Sequence, residues 1–279
     1  MDHVVELVIR FTSPVFHGGD EKTGSETLFR RMKVWHNGRL VDVPFISGNA
    51  VRGLMRRLVF KDMVDRLGYE LRSMKLYHTL FSGGVLETTD ATDTRLDVDL
   101  RRRVRSLLPP LSLLGAAIGN QVLEGKLRVM HLLPVCRELS DYHADWVLES
   151  YREHAATSCY QFLDWVFQTR RAEEKRRSKE EQAVQMLYRF EVLVPGTHAY
   201  TRMVCSDCSP LELSCLAHML ALLEHHGQLG GKPATGYGSF QVVARRTTAE
   251  LDPTMYTRFL EERRGEITRL LDELAKRLG

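Results

Sequence analysis

The chain has 279 residues, 43% of them hydrophobic and 27% charged, a composition that suits one large or two small globular domains and excludes wholesale disorder. Its 39 basic and 36 acidic residues leave a net charge of +3, which neither demands nor excludes a polyanionic partner, so placement matters more than the sum. The basic residues cluster at Arg30, Arg31 and Lys33, at Arg52, Arg56 and Arg57, at Arg101, Arg102, Arg103 and Arg105, and along residues 170–179.

Residues 4–11 alternate, with Val5, Leu7, Ile9 and Phe11 on one face, and predict a strand that Thr12-Ser13-Pro14 ends. The polar, glycine-bearing stretch from His17 to Gly24 predicts a flexible loop. Residues 28–35 and 40–45 flank Asn37-Gly38, a strong hairpin signal, and Pro44 favours an edge position. Ser47 is placed to cap a helix over 49–67 that Gly68 terminates, with Val51, Met55 and Leu58 as its buried stripe. Residues 69–120 carry a Gly-Gly pair, an acidic, threonine-rich loop, an arginine run and Pro109-Pro110, and predict an irregular, partly helical insertion. Residues 125–133 read as a strand, 145–167 as mixed and partly helical, and 169–181 as a charge run without an apolar period. Residues 187–194 alternate, turn at Pro195-Gly196 and return through 197–204. Ser209-Pro210-Leu211-Glu212 is a capping box that opens a helix to about His226, closed by Gly227. A glycine-rich loop at 230–238 leads into a last strand, 239–245, and 254–278 predicts an amphipathic helix with Ile267, Leu271, Leu274 and Leu278 on one stripe. Without insertions the order is strand, helix, strand, strand, helix, strand. That is the ferredoxin-like split arrangement of an α+β fold, with the extra hairpin, 69–120 and 140–186 as decorations.

Chemistry concentrates at the predicted helix start. Arg52 and Arg56 are four residues apart, where like charges repel on a helix face, and Gly53 between them costs about 1 kcal/mol relative to alanine. Both penalties make sense if an anion sits between the arginines and a backbone approaches the glycine. A helix N-terminus beside Ser47 and Asn49 is itself an anion site; a solvated basic face with a packing glycine is the other reading. The loop at 230–238 follows a helix and precedes a strand, the reverse of dinucleotide-binding and P-loop contexts. Lys232 there is available to a phosphate or a carboxylate, or the loop is a packing turn. The 169–181 run is solvated surface or a protruding arm, where arginines with Phe167 or Trp165 would suit stacking on unpaired bases.

Enzyme chemistry finds less support. Cys205-x-x-Cys208 has no matching second pair, the eleven histidines are scattered, and Asp90, Asp93, Asp97 and Asp99 lack the frame of a calcium loop. No serine sits in a nucleophile elbow, so no cofactor or metal is expected. Asp20, in the loop near His17, is the one carboxylate placed to support cleavage of a bound strand, or is simply solvated. Five cysteines in a chain this long do not form a disulfide framework and fit a reducing cytoplasm. Asp2, His3 and Glu6 give no signal-peptide pattern. The longest apolar run, 213–223, is interrupted by His218 and is shorter than the ~18–20 residues of a membrane span.

Three motifs together resemble the repeat-associated mysterious protein superfamily of CRISPR systems, in its guide-RNA-binding backbone subunit. They are Thr12-Ser13-Pro14-Val15-Phe16-His17-Gly18-Gly19 after the opening strand, the stretch Phe45-Ile46-Ser47-Gly48-Asn49-Ala50-Val51-Arg52-Gly53-Leu54-Met55-Arg56-Arg57, and the 230–238 loop with Ser239-Phe240. Leu113-Leu114-Gly115 followed by Gly125-Lys126-Leu127, and Glu191 with Val194-Pro195-Gly196-Thr197, support it. Thr23-Gly24-Ser25-Glu26-Thr27-Leu28-Phe29-Arg30-Arg31 is most similar to the type IV version, type III being next.

The resemblance implies a hand-shaped chain: an RNA-recognition-like palm over 1–279, a finger insertion at about 69–120 and a thumb at about 167–185 that splays guide bases for target pairing. Copies would assemble head-to-tail on the guide crRNA, beside the complementary target nucleic acid, a large subunit and a guide-processing subunit. Ser47, Asn49, Arg52, Arg56 and Arg57 would hold RNA phosphates, with Arg30, Arg31, Arg170, Arg171 and Lys232 along the same path. Backbone contacts rather than base readout should dominate. Type III relatives cleave target RNA with an aspartate in the first glycine loop, near which Asp20 falls; the expectation is binding without catalysis, with Asp20-dependent cleavage as the alternative. A guide-processing endoribonuclease, with His17 as its histidine, is the third reading. Arg52→Glu with Arg56→Glu is expected to abolish assembly on RNA and leave the monomer folded.

Overall fold

The structure is a computed structural model that describes residues 1–23, 26–84, 98–119, 121–170 and 186–278. Strands β1 (Asp2–Phe11), β2 (Gly18–Thr23), β3 (Glu26–Phe29), β4 (Arg31–His36) and β5 (Arg39–Pro44) precede helix α1 (Gly48–Leu67). Helices α2 (Met74–Ser82), α3 (Val98–Leu107) and α4 (Pro109–Leu114) follow, then short strands β6 (Ala116–Ile118), β7 (Gln121–Leu123), β8 (Leu127–Val129) and β9 (Leu133–Pro134). Next come α5 (Asp145–Ser150), α6 (Arg152–Ala156), β10 (Leu163–Arg170), β11 (Met186–Leu193), β12 (His198–Ser206), α7 (Pro210–His226), β13 (Phe240–Thr247), α8 (Thr254–Glu262) and α9 (Arg264–Leu278).

The central sheet runs β13-β1-β12-β8, with β9 also on β12, and every pairing in it is antiparallel. Counting only the βαββαβ elements, that is fourth, first, third, second, the ferredoxin-like order expected of the α+β fold. Val5, Leu7, Ile9 and Phe11 of β1 enter the main core with Val51, Met55 and Val59 of α1 and Leu216, Met219 and Leu220 of α7. Val8 points the other way and packs with Tyr200, Val147 and Trp146. This second face of the sheet is therefore covered by the α5–α6 segment. A polar clasp seals it: Trp146 Nε1 and Tyr200 OH both donate to the Glu6 carboxylate, at 2.9 and 2.6 Å.

Two expectations about strands and their pairing need correction. The alternating residues 187–194 do not return on themselves through Pro195-Gly196. Strand β11 pairs instead with β10, from Leu163↔Leu193 to Arg170↔Met186, in a second sheet ordered β10-β11-β3-β2, while β12 belongs to the central sheet. The turn passes the chain from one sheet to the other, with Gly196 N–H donating to Phe11 O at 2.7 Å. The expected loop from His17 is strand β2, paired with β3 at the edge of that second sheet. The proposed arm beyond β10, residues 171–185, lies outside the described residues, as do residues 24–25 and 85–97.

Local signals otherwise act as their chemistry requires. The β4–β5 hairpin turns at Asn37 and Gly38, both at positive φ. Ser47 Oγ accepts from Ala50 N–H at the start of α1, and Gly68 closes it in the left-handed conformation. Ser209 and Glu212 form the full capping box of α7. Within 69–120 the described residues are largely helical, and α2 and α3 pack against α9. The single helix expected over 254–278 is two, α8 and α9, broken at Arg263. The expectation of no disulfide framework meets one local exception, Cys205–Cys208, which closes the turn between β12 and α7. Among the described residues no helix is long and apolar enough to cross a membrane.

Candidate nucleic-acid interface

Helix α1 enters against the sheet very closely. A side-chain carbon on Gly48 would sit 2.3 Å from Val129 O, so glycine is required there for packing. The first N–H groups of the helix are spoken for by imidazoles: Ser47 N–H donates to His17 Nε2 at 3.3 Å and Gly48 N–H to His131 Nδ1 at 3.0 Å. His17 is thus a cap acceptor in this structure, and its ring packs edge-on to Phe29.

Beyond the cap, Asn49, Arg52, Gly53, Arg56 and Arg57 of α1 form one wall of a cleft of about 690 Å³. Tyr77 and Phe81 of α2 form a second wall, and residues 114–117 with 122–125 the third. Four of the predicted residues therefore meet in one place, with Ser47 one turn away. Their roles differ. Arg56 is 5% exposed and donates to three backbone carbonyls: Leu80 O at 3.2 Å, Leu114 O at 2.7 Å and Gly115 O at 2.6 Å. It clamps the ends of α2 and α4. Arg52 is half-buried and also donates to Leu114 O, but its Nε is buried without a hydrogen-bond partner. Arg57 is exposed, and so is Asn49. Gly53 has open space, its nearest neighbour being the Arg57 guanidinium 3.5 Å from where a side-chain carbon would stand.

Burial pushes Arg56 down to about 10, and the charge on Arg52 adds to the effect. Burial lowers Arg52 in the same direction. Among the described residues none of Arg52, Arg56 and Arg57 has an ion pair. Three guanidinium groups thus line one cleft, with Glu124 at its third wall and no ion pair to any of the three among the described residues, an arrangement that an anionic ligand stabilises. The expectation that Arg52→Glu with Arg56→Glu spares the fold is corrected by this geometry. A glutamate at position 56 would bury a carboxylate against three carbonyl oxygens.

A second cleft of about 440 Å³ lies between β3 and the β4–β5 hairpin, lined by Gly19, Leu28, Phe29, Arg30, Arg31, Lys33, Asp42 and Phe45. Glu191, 5% exposed, organises it by accepting from Phe29 N–H at 2.9 Å and from Arg31 at 2.7 Å. His17 links the flanks of the two clefts, since Arg30 N–H donates to His17 O at 2.8 Å and Ser47 N–H donates to the His17 ring at 3.3 Å.

Lys232 sits elsewhere, at the root of the second sheet. Its ammonium lies 4.5 Å from the Phe190 ring centroid and 5.6 Å from that of Phe16, and it donates to Gln168 Oε1 at 3.0 Å. The glycine loop around it is a packing turn: Gly238 is at φ +86°, and a side-chain carbon there would meet Leu229 O at 2.0 Å. Trp165 is covered by the Arg189 guanidinium at 4.8 Å, whereas Phe167 stands 60% exposed beside Gln168 on β10. Arg170 closes β10 and Asp20 lies on β2. Arg171 lies outside the described residues.

Sequence reasoning missed Tyr77 and Phe81, whose rings stack at 4.7 Å with 13° between planes. Their four-residue spacing behind a serine cap is the signal that marks them, because it predicts two aromatics on one face of a short helix.

No protein-family model matches the chain, and no curated protein matches it. Among solved structures, a chain of one described as a Type IV-B CRISPR complex is similar over 89% of this chain and 91% of that chain, with a TM-score of 0.62. The two are 22% identical, so the shared feature is the fold.

Proposed function

We propose that the chain is the backbone subunit of a type IV CRISPR effector complex, gripping guide RNA by its sugar–phosphate chain and repeating head-to-tail along it. The observation that carries this reading is the α1 cleft, where Arg52, Arg56 and Arg57 converge without a carboxylate partner among the described residues. The shared fold supports a place in such a complex. The α5–α6 cover over the sheet supports an RNA path that avoids the surface ordinary RNA-recognition folds use.

In this reading Ser47, Asn49, Arg52 and Arg57 contact phosphates, and Arg56 holds the cleft wall behind them. Arg30 and Arg31 extend the path through the second cleft, Lys232 and Arg170 lie at the root of the arm, and Arg171 keeps the RNA-binding role that the sequence assigns it. Residues 69–120 act as the finger and 167–185 as the thumb, which opens the guide for its complementary target. A large subunit and a guide-processing subunit complete a cytoplasmic particle. Each copy presents two different faces, so growth is open-ended. The subunit binds and does not cleave: Asp20 has no catalytic part, and His17 serves the helix cap.

Fluorescence anisotropy with two single-stranded RNAs of unrelated sequence tests this. Affinity should be equal within about threefold for both and, for about four phosphate contacts, fall roughly 50-fold between 50 and 200 mM salt. Arg57→Glu should weaken binding at least tenfold without moving the thermal midpoint. Binding confined to one sequence, or insensitive to salt, would contradict the proposal. So would regular cutting of complementary RNA that is lost in Asp20→Ala.

A further inference from the structure

Away from these clefts, the segment between β9 and β10 brings three potential ligands together in the core. Cys136 and Cys159 are fully buried and Glu138 is 5% exposed, and one ligand atom from each lies within 4.8 Å of the other two. Cys136 and Glu138 come from the start of the 3-10 helix Arg137–Tyr142 and Cys159 from the start of Cys159–Phe162. The backbones are tied at the same place by Arg137 N–H donating to Thr157 O at 2.9 Å.

Apolar packing alone does not call for this set. Glu138 accepts from Ser158 Oγ at 2.7 Å and Cys159 N–H at 2.8 Å, and from Arg137 at 3.0 Å. Those bonds fix the carboxylate and leave it with acceptor capacity beyond the three donors, with one of its oxygens within 4.8 Å of both sulfurs. We propose that Cys136 Sγ, Cys159 Sγ and a carboxylate oxygen of Glu138 bind one zinc-class divalent ion that pins this segment at the root of β10. Zn–S bonds of about 2.3 Å in a tetrahedron put ligand atoms roughly 3.8 Å apart, within a small side-chain adjustment of the spacing here. Two thiolates with a carboxylate select a thiophilic ion over calcium or magnesium. Binding releases the two thiol protons to solvent. The ion with three anionic ligands leaves one negative charge, which the Arg137 guanidinium offsets. No fourth protein ligand stands among the described residues, so water takes that position.

The experiment uses the full chain purified under reducing conditions without chelator. Elemental analysis should find one zinc per chain, and cobalt exchange should produce thiolate-to-metal charge-transfer absorption. Both signals should vanish in Cys136→Ser and in Cys159→Ser and persist in Cys208→Ser, which excludes the Cys205–Cys208 pair as the source. Should the serine variants fail to fold, the unaltered chain still decides the matter. A strong chelator should make two further thiols reactive, and peptide mapping should place them at 136 and 159. Sub-stoichiometric metal, metal retained without Cys136 and Cys159, or a Cys136–Cys159 disulfide in the freshly purified chain would each overturn the proposal.

Discussion

Replacing Arg56 by alanine removes a guanidinium that is 5% exposed and serves Leu80 O, Leu114 O and Gly115 O. Those carbonyls sit at the C-terminal ends of α2 and α4, where the aligned peptide dipoles leave partial negative charge. A hydrogen bond from a charged donor contributes about 1.5–3 kcal/mol. Water entering from the cleft recovers part of three such bonds, so the expected loss is about 3–5 kcal/mol. That is a large share of the roughly 5–15 kcal/mol that holds a domain folded. Arg56→Lys keeps the charge but not the planar fork and should lose about half as much. Arg57→Ala, on the exposed side of the same cleft, should stay within about 0.5 kcal/mol of the parent. Urea unfolding followed by tryptophan fluorescence, paired with RNA anisotropy, separates the two roles. Arg56→Ala should unfold at clearly lower urea, whereas Arg57→Ala should keep the parent midpoint and lose RNA affinity. An Arg56→Ala chain that unfolds at the parent midpoint would refute the clamp.

Gly53→Ala should stabilise the free chain by about 0.5–1 kcal/mol, since the site has room and a helix interior favours alanine; RNA affinity should fall, because the added methyl enters the cleft, and unchanged affinity would place the RNA elsewhere. Gly48→Ala should cost about 1–3 kcal/mol by overpacking against Val129 O, seen as a lower urea midpoint. His143 is 8% exposed and its Nε2–H donates to Pro134 O at 3.0 Å, and burial holds it down at about 4. The unfolded imidazole takes up its proton near pH 6.5, so this contribution is complete above that pH. It is lost as pH falls from about 6.5 to 4, reaching roughly 3 kcal/mol. His143→Gln should flatten that part of the stability profile, and an unchanged slope would contradict the assignment.

The central sheet and its helices were legible because their signals are local. Period-two alternation in β1, the Asn-Gly turn, the Ser47 and Ser209 caps and the terminal amphipathic stripe each specify a conformation through neighbours a few residues away. Pairing is not local in that sense. The alternation of 187–193 says that a strand forms, and nothing in it says that β10 rather than β12 lies alongside. The polar stretch after His17 became a strand because β3 offers it a ladder, which composition alone does not reveal. At the site, four-residue spacing correctly placed Arg52 and Arg56 together. It did not tell solvent from carbonyl. The signal that does is the row Arg56, Val59, Phe60, Met63 and Leu67, an apolar stripe at helical spacing with the arginine at its head, all of it buried. Tyr77 and Phe81 escaped notice because the glycines and acidic loop that follow them drew the whole region into one irregular insertion.

The central claim is that many copies of this chain share one RNA thread. It is tested most directly by purifying the chain from cells that also make a guide transcript, then measuring the nucleic-acid content and imaging the particles by electron microscopy. The account predicts nuclease-resistant RNA and regularly repeating copies along it, with both lost in Arg57→Glu. Single RNA-free chains of parent sequence, folded and monodisperse, would contradict it.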